Sequence, residues 1–300
     1  LVTGVQTCAL PIYGHEFAMK PMNCPHHTQI YASQPRSYRD LPIRYRDTTM
    51  VYRDEQSGEL GGLSRVRGIT QDDAHVFCRT SQVEEEAASL WNIIETFYGA
   101  CGFERFRVRL STHDPANMAG YAGSEEKWVS TVQQLRNIIE GKVGSDYIEG
   151  VGEAAFYGPK IDFMAKDAIG REHQLATIQL DFNQPEGFDL TCINEEGADE
   201  RIVMLHCAVM GSHERFLSVY IEHTGGRFPT WCAPEQIRVI SVNQEEATVR
   251  FMDEFQESAK KLGLRAGVDN SNESVGKKIR SAELSKVPYT VVIEIGRAHV

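Results

Sequence analysis

Residues 52–77, YRDEQSGELGGLSRVRGITQDDAHVF, decide the fold of this chain. Their pattern predicts a β-strand, a glycine-bearing turn and a second β-strand. Because successive side chains of a strand point to opposite faces, Gln71, Asp73 and His75 should share one face of the second strand. Burying so polar a face costs free energy unless a ligand satisfies its hydrogen-bonding groups. The hairpin is therefore the candidate active site.

Charged side chains lie on both sides of the predicted turn. Arg53 and Glu55 are expected on one face of the first strand, and Arg65 and Arg67 follow the turn, which contains Ser57-Gly58 and Gly61-Gly62. One wall of the hairpin should therefore carry guanidinium, carboxylate, amide and imidazole groups together.

Length and composition bound the class of protein. The 300 residues, 41% of them hydrophobic, suit one large globular domain or two smaller ones. No apolar run approaches the length that a bilayer-spanning helix needs. Seven cysteines without paired spacing favour a reducing cytosol over a disulfide framework. The net charge of -11 argues against indiscriminate binding to phosphate backbones but allows a local basic patch.

Both ends of the chain are predicted to be non-native. Codons can be chosen for residues 6–12 and 294–300 so that the two nucleotide stretches are reverse complements, as a sequencing adapter read on opposite strands would be. We therefore assign residues 1–12 and 294–300 to adapter-like segments and leave them out of the fold. The natural protein is expected to extend in both directions.

Caps and periodicity predict the elements that follow the hairpin. Ser81 and Glu84 form a capping-box pattern that predicts a helix to about Cys101. Ser124 should begin a second helix that reaches about Ile139.

Residues 150–182 should form an antiparallel strand pair, and residues 201–210 a further strand that contains His206. If the return strand of the pair is regular, Thr177, Gln179 and Asp181 share a face.

Residues 211–223 should form a helix that begins at Ser212, with Arg215 in its first turn. A basic side chain at this end opposes the helix dipole, so it better serves an anion bound there.

Residues 225–229, GGRFP, predict a domain boundary. Beyond them the pattern alternates strand, helix, strand, helix, strand up to residue 293, which implies a small sheet with helical crossovers. Lysines and arginines are concentrated at positions 260–280. On charge alone, they fit solvated helix faces as well as an RNA-binding surface.

The residue types alone do not decide whether the chain binds a metal ion. Cys24 lies between prolines and next to two histidines, which suits a metal ligand, but a lone cysteine is more often a buried thiol. His75 and His206 are, on the same grounds, more often ordinary strand histidines. Cys78 should point away from His75, because an odd separation places two strand residues on opposite faces.

Five segments together resemble the threonyl-tRNA synthetases, a family of class II aminoacyl-tRNA synthetases, over about residues 13–293. Residues 52–77 resemble the second signature of class II and residues 211–216 the third, whereas the first signature and an editing region are expected before residue 13. The segments are KPMNCP (20–25), the hairpin 52–77, AFYGPKIDF (155–163), QLATIQLDF (174–182) and GSHERF (211–216).

The resemblance implies an α/β fold with two domains. Residues 13–228 would form an α+β catalytic domain, truncated at its amino terminus, with the class II antiparallel sheet flanked by helices. Residues 229–293 would form a small, truncated α/β anticodon-binding domain.

The resemblance also implies roles for individual residues. Arg53 would hold the α-phosphate of ATP, Glu55 the adenine amino group, and Arg65 and Arg215 the outer phosphates. Lys160 would act with Arg53 and Arg215 in catalysis. Cys24, His75 and His206 would bind zinc, and Asp73 would accept a hydrogen bond from the hydroxyl of threonine. The threonine and adenylate pocket would comprise Met22, Gln71, Asp73, Tyr157, Lys160, Gln174, Thr177, Gln179 and Ser212.

The expected reaction joins threonine to ATP as an adenylate and then transfers the acyl group to tRNA(Thr), with Mg²⁺ on the phosphates. Threonine and valine have nearly the same shape, and an apolar pocket separates them by only about a hundredfold. Zinc that binds the amine and the hydroxyl of threonine would reject valine, which lacks the hydroxyl. The resemblance further implies a homodimer in the full-length protein, a cytoplasmic location and no membrane association. Two rivals remain: a synthetase or paralogue that activates another amino acid, and a nucleic-acid-binding module without catalysis.

Overall fold

The computed structural model describes residues 9–12, 15–103, 106–166 and 169–294. Residues 1–8 and 295–300, most of the two segments predicted to be non-native, lie outside the described residues. The chain divides into two compact units: the first comprises the residues up to Gly99 and Phe103–Tyr220, and the second comprises Ala100–Gly102 and the residues from Ile221 onward.

The helices and strands of the described residues up to Thr224 are, in chain order, β1 (Ala9–Ile12), β2 (His15–Ala18), α1 (Cys24–Ala32), β3 (Ile43–Tyr52), β4 (Gly68–Cys78), α2 (Val83–Ala100), β5 (Arg107–Thr112), α3 (Glu125–Val143), β6 (Tyr147–Val151), β7 (Lys160–Lys166), β8 (Glu172–Asp181), α4 (Asn183–Gly187), β9 (Thr191–Ile193), β10 (Asp199–Arg201), β11 (Val203–Ala208) and α5 (His213–Thr224).

Seven of these strands form one sheet in the order β3-β4-β11-β8-β7-β5-β6. All neighbours are antiparallel except β5 and β6, which are parallel. The strands that carry the hairpin, the 150–182 pair and His206 are therefore adjacent. The α/β prediction, with a large antiparallel sheet and flanking helices, is confirmed.

Alternation along the strands separates an apolar face from a polar one. On β7, Ile161 and Phe163 are buried, and Phe163 contacts Trp91 of α2 with ring centroids 4.8 Å apart. Each such fully buried side chain stabilises the fold by about 1.5–3 kcal/mol. Asp162 lies between them and points to the opposite face. Helix α1 packs on that second face, where Tyr31 stacks on Phe77 of β4.

Two details of the prediction are wrong. Strand β3 ends at Tyr52, so Arg53 and Glu55 lie beyond it: the N–H of Arg53 still donates to Arg67, but the chain then enters a short 3-10 helix, Ser57–Glu59. Helix α2 begins at Val83 rather than at Ser81. A 3-10 helix, Thr80–Gln82, precedes it, and the Gln82 side chain accepts from the backbone of Arg79.

The remaining elements are β12 (Ile237–Ser241), α6 (Glu246–Lys261), β13 (Ala266–Asp269), α7 (Val275–Leu284) and β14 (Tyr289–Ile293). The strands form a parallel sheet in the order β13-β12-β14 around Val239, Met252 and Ile293, which confirms the predicted alternation. Among the described residues, no helix combines the length and the apolar character needed to cross a bilayer.

Candidate active site and metal centre

Two cavities of about 410 Å³ and 360 Å³ lie over the polar face of the large sheet. They adjoin, because Arg53, Gln71, Tyr157 and Gln179 line both. Every residue that the sequence predicted for the site lines at least one of them. The first alone holds Met22, Cys24, Asp73, His75 and His206, the second alone holds Arg65, Lys160, Gln174, Ser212 and Arg215, and Glu55 and Thr177 line both.

Three residues from distant parts of the sequence converge in the first cavity. His75 on β4 and His206 on β11 are direct cross-strand partners, and Cys24 is the first residue of α1 above them. One ligand atom from each lies within 4.8 Å of the others, and all three residues are buried. This spacing allows one metal ion to be held by a thiolate and two imidazoles.

The hydrogen bonds of the two imidazoles leave one nitrogen of each for a metal. His206 donates from Nε2 to Oδ2 of Asp181 over 2.9 Å, so Nδ1 is the nitrogen left for Cys24 and for a metal. The Nδ1 atom of His75 lies 2.7 Å from Nδ1 of His27. The buried Nε2 atom of His75 has no hydrogen-bond partner among the described residues. An orphaned buried nitrogen is costly unless something binds it.

The protonation of His75 suits a metal ligand, whereas His206 must lose a proton before it can bind one. Burial, together with His206 and His27, lowers the pKa of His75 well below its usual range, so its imidazole is neutral. Burial alone would also lower the pKa of His206, but hydrogen bonds to Asp181 and Cys24 outweigh it and raise the pKa to about 10. A metal would replace the His206 proton, since ligation needs a free lone pair. One sulfur and two nitrogens with room for substrate suit zinc.

Asp73 is a carboxylate beside the same space. Its Oδ2 accepts from Asn23 over 3.1 Å, and its Oδ1 lies 3.8 Å from Nε2 of His75. Burial raises the pKa of Asp73 to about 6, against the opposing effects of His206 and Asn23. Asp73 can therefore accept a hydrogen bond from a ligand that contacts the metal ligands.

Three arginines surround the second cavity. All three side chains line this cavity. Burial lowers the pKa of Arg215, and the positive charges of Arg53 and Arg65 lower it further. Arg215 donates from Nε to the carbonyl of Ser64. Arg65 pairs with Glu55 at 2.7 Å, so these two predicted nucleotide ligands contact each other in this structure. Clustered like charges favour an anion with several oxygens.

The start of α5 is fixed against β4. The Ser212 hydroxyl accepts from the backbone of Arg215, as predicted for a helix cap. The carboxylate of Glu214 accepts from the backbone of Thr70 and from Ser212. These contacts place the first turn of α5, with Arg215, at the end of the hairpin.

Sequence reasoning missed Asp162, which lines neither cavity but contacts three of the predicted site residues. Its side chain is fully buried and accepts from Lys160 at 3.1 Å, from Gln174 at 2.8 Å and from Thr177 at 3.1 Å. Arg109 and Ser111 of β5 donate to the same carboxylate. A single carboxylate between apolar residues of KIDF was the available signal, because alternation places it opposite Ile161 and Phe163.

A β-bulge brings Gln174 to the site. The register shifts between Phe163 and Met164, whose partners on β8 are Ala176 and Gln174, so Leu175 is the extra residue. The bulge turns Gln174 to the face of Thr177, and both donate to Asp162. A regular strand would have placed Gln174 on the opposite face.

Tyr157 reaches the cavities from the loop before β7. Its hydroxyl donates to Gln179 over 2.7 Å, and its carbonyl accepts from the side chain of Asn183. The next residue is Gly158, where a Cβ atom would lie 2.1 Å from the carbonyl oxygen of Leu180. Only glycine lets the loop approach β8 so closely.

Two protein-family models match most of the chain. The class II tRNA synthetase core domain (G, H, P, S and T) matches residues 11–224, and an anticodon-binding domain matches residues 236–296. The threonine–tRNA ligase of Prosthecochloris aestuarii is 46% identical over 93% of this chain, and that of Porphyromonas gingivalis is 48% identical over 94%. The chain spans only 42% and 43% of these two relatives.

Structural similarity agrees with the sequence matches. A crystal structure of the RNA-binding domain of threonyl-tRNA synthetase from Cryptosporidium parvum superposes with a TM-score of 0.87 and 38% identity, over 96% of this chain and 70% of that one. The core-domain match covers all the strands of the seven-stranded sheet and therefore the site built on it. With its synthetase core, its anticodon-binding domain and its structural match, this chain belongs to the threonyl-tRNA synthetase family of class II aminoacyl-tRNA synthetases.

Proposed function

We propose that the chain carries the amino-acid activation site of a threonine–tRNA ligase. The threonine carboxylate attacks the α-phosphorus of ATP, releasing pyrophosphate, and the threonyl group is then transferred to the 3′-terminal ribose of tRNA(Thr). The observation that supports this most is the position of Cys24, His75 and His206 in a cavity that adjoins an arginine-lined one.

The arginines would position the nucleotide. Arg53 lines both cavities, where it would hold the α-phosphate between the amino acid and the outer phosphates. Arg65 and Arg215 would bind the outer phosphates, and Glu55 would leave Arg65 to accept from the adenine amino group. Catalysis would come from positioning and charge stabilisation, with Lys160 at the adenylate and Mg²⁺ on the phosphates.

The metal set would select the amino acid. Cys24, His75 and His206 would hold zinc, which when bound supplies an open ligand position for the amine and hydroxyl of threonine. Asp73 would accept from the same hydroxyl. Valine would leave these polar groups unpaired, so the site rejects it far more strongly than an apolar pocket could. Serine keeps both groups and should be activated in error.

Several wider assignments belong to this proposal. Met22, Gln71, Tyr157, Gln174, Thr177, Gln179 and Ser212 would line the threonine and adenylate pocket. The catalytic domain would span residues 13–228 and the anticodon-binding domain 229–293, with adapter-like segments outside them. The full-length protein would be a cytoplasmic homodimer that binds tRNA(Thr).

The test combines metal content with threonine-dependent exchange between ATP and pyrophosphate. We expect one zinc per chain and exchange that depends on threonine, is weaker with serine and is absent with valine or proline. Cys24→Ala should lose both zinc and exchange, whereas Cys232→Ala, a thiol outside both cavities, should keep them. Exchange that persists in metal-free Cys24→Ala would refute the zinc role, and exchange with proline alone would favour the rival synthetase.

A further inference from the structure

We propose that Asp181 is a positioning residue that serves the metal ligand His206 and the substrate loop at Tyr157 together. This inference rests on the proposed metal role of Cys24, His75 and His206. Asp181 is the last residue of β8, fully buried, and its two carboxylate oxygens have separate partners.

The first oxygen fixes the ring of His206. Oδ2 accepts from Nε2 of His206 over 2.9 Å, so the proton of the neutral imidazole stays on Nε2. The lone pair of Nδ1 is then directed to the space shared with Cys24 and His75. A carboxylate behind a metal-binding imidazole is a common way to fix both tautomer and ring orientation.

The second oxygen holds the start of α4. Oδ1 accepts from the backbone N–H groups of Asn183 over 2.8 Å and Gln184 over 2.9 Å. The side chain of Asn183 in turn donates to the carbonyl of Tyr157 over 2.7 Å and to that of Ala122 over 3.2 Å. Asp181 thus supports the loop that presents Tyr157 to both cavities.

His75 is held by a different route, through His27 on α1. Changing Asp181 should therefore disturb one imidazole and leave the other in place. An asparagine at this position keeps the shape and can still accept from Asn183 and Gln184. Its amide nitrogen, however, donates to Nε2 of His206, which moves the imidazole proton to Nδ1 and blocks the lone pair that a metal needs.

Zinc titration of the full chain against a competing chelator tests the first arm. We expect Asp181→Asn to bind zinc about 10- to 100-fold more weakly than the wild-type chain, with a similar melting temperature when both are metal-free. Cys24→Ala should bind no zinc at this site. Asn183→Ala should bind zinc as the wild type does, because it leaves Asp181 and His206 in contact.

A non-hydrolysable threonyl-adenylate analogue, added at saturating zinc, tests the second arm. Asn183→Ala and Asp181→Ala should both bind it more weakly than Asp181→Asn does, since only Asp181→Asn keeps the support of α4 and Tyr157. The ¹⁵N shifts of His206 in the zinc-loaded wild-type chain give a readout that needs no variant, and ligation through Nδ1 is expected.

Failure of this inference is distinguishable from failure of the proposed function. Zinc binding that is normal in the wild type, lost in Cys24→Ala and unchanged in Asp181→Asn would overturn the role of Asp181 alone. Ligation of His206 through Nε2 would do the same. No zinc in the wild-type chain would overturn both.

Discussion

The Nζ atom of Lys160 lies 3.1 Å from Oδ2 of Asp162, and this carboxylate is fully buried. Removing its charge takes away the acidic partner of the ammonium and leaves the guanidinium of Arg109 with only the longer contact to Glu153, at 3.8 Å. We expect Asp162→Asn to lower the free energy of unfolding by about 3 kcal/mol and to weaken binding of a threonyl-adenylate analogue at least about tenfold. Calorimetry and chemical denaturation measure both quantities.

An exposed ion pair provides the control for that prediction. The pair of Arg201 and Asp189 has an N–O distance of 2.7 Å, but the Asp189 side chain is 86% exposed. Asp189→Asn should therefore change the unfolding free energy by less than about 1 kcal/mol and leave analogue binding unchanged. Equal effects of the two substitutions would contradict a positioning role for Asp162.

Arg53 is predicted to matter through the shape of its guanidinium. Arg53→Lys keeps the charge but cannot offer two parallel N–H groups to a phosphate. We expect threonine-dependent exchange to fall about 100-fold or more in Arg53→Ala, with only partial recovery in Arg53→Lys. Arg107→Ala, which removes an exposed partner of Glu172, should leave exchange near the wild-type rate. Near-normal exchange in Arg53→Ala would refute its role at the phosphate.

Glu214 should make the stability of the site depend on pH. Burial would raise the pKa of Glu214, but hydrogen bonds from Thr70 and Ser212 outweigh it and lower the pKa. A lowered folded-state pKa stabilises the fold above the unfolded value and loses that effect as the pH falls. Glu214→Gln should therefore cost about 1–2 kcal/mol at pH 7 and progressively less as the pH falls below the ordinary glutamate pKa, about 4.3, towards about pH 3. Denaturation at both pH values measures this difference, and a cost that does not change with pH would contradict it.

Gly158 should tolerate no side chain. A Cβ atom there would meet the carbonyl oxygen of Leu180 at 2.1 Å, so Gly158→Ala must displace the Tyr157 loop. We expect a loss of about 1–3 kcal/mol and weaker binding of the adenylate analogue. Gly141→Ala is the matched control, because it lies within α3 with nothing within 4 Å of the new methyl group. It should be neutral or slightly stabilising.

Local signals in the sequence predicted the elements but not all of their junctions. Alternation placed Gln71, Asp73 and His75 on one face, and Ser124 and Ser212 cap α3 and α5 as expected. The ends of β3 and the start of α2 depend on tertiary contacts and competing 3-10 turns, which propensity does not report.

The meeting of the three metal-ligand candidates was predictable only through the family resemblance. Nothing in the spacing of Cys24, His75 and His206 indicates that they meet, because strand order brings them together. The bulge at Leu175 and the shared acceptor Asp162 were missed for a related reason. Each depends on a partner strand that is distant in sequence, and single-strand periodicity contains no information about that partner.

The direct pairing of His75 with His206 has a consequence for how the sheet assembles. Sliding β11 by one residue along β4 would turn one imidazole to the apolar side, and no ion could then bind both. Metal captured during folding would therefore stabilise only the chain with correctly aligned strands. An ion whose proposed role is to recognise an amino acid would therefore also stabilise correctly paired strands over mispaired ones.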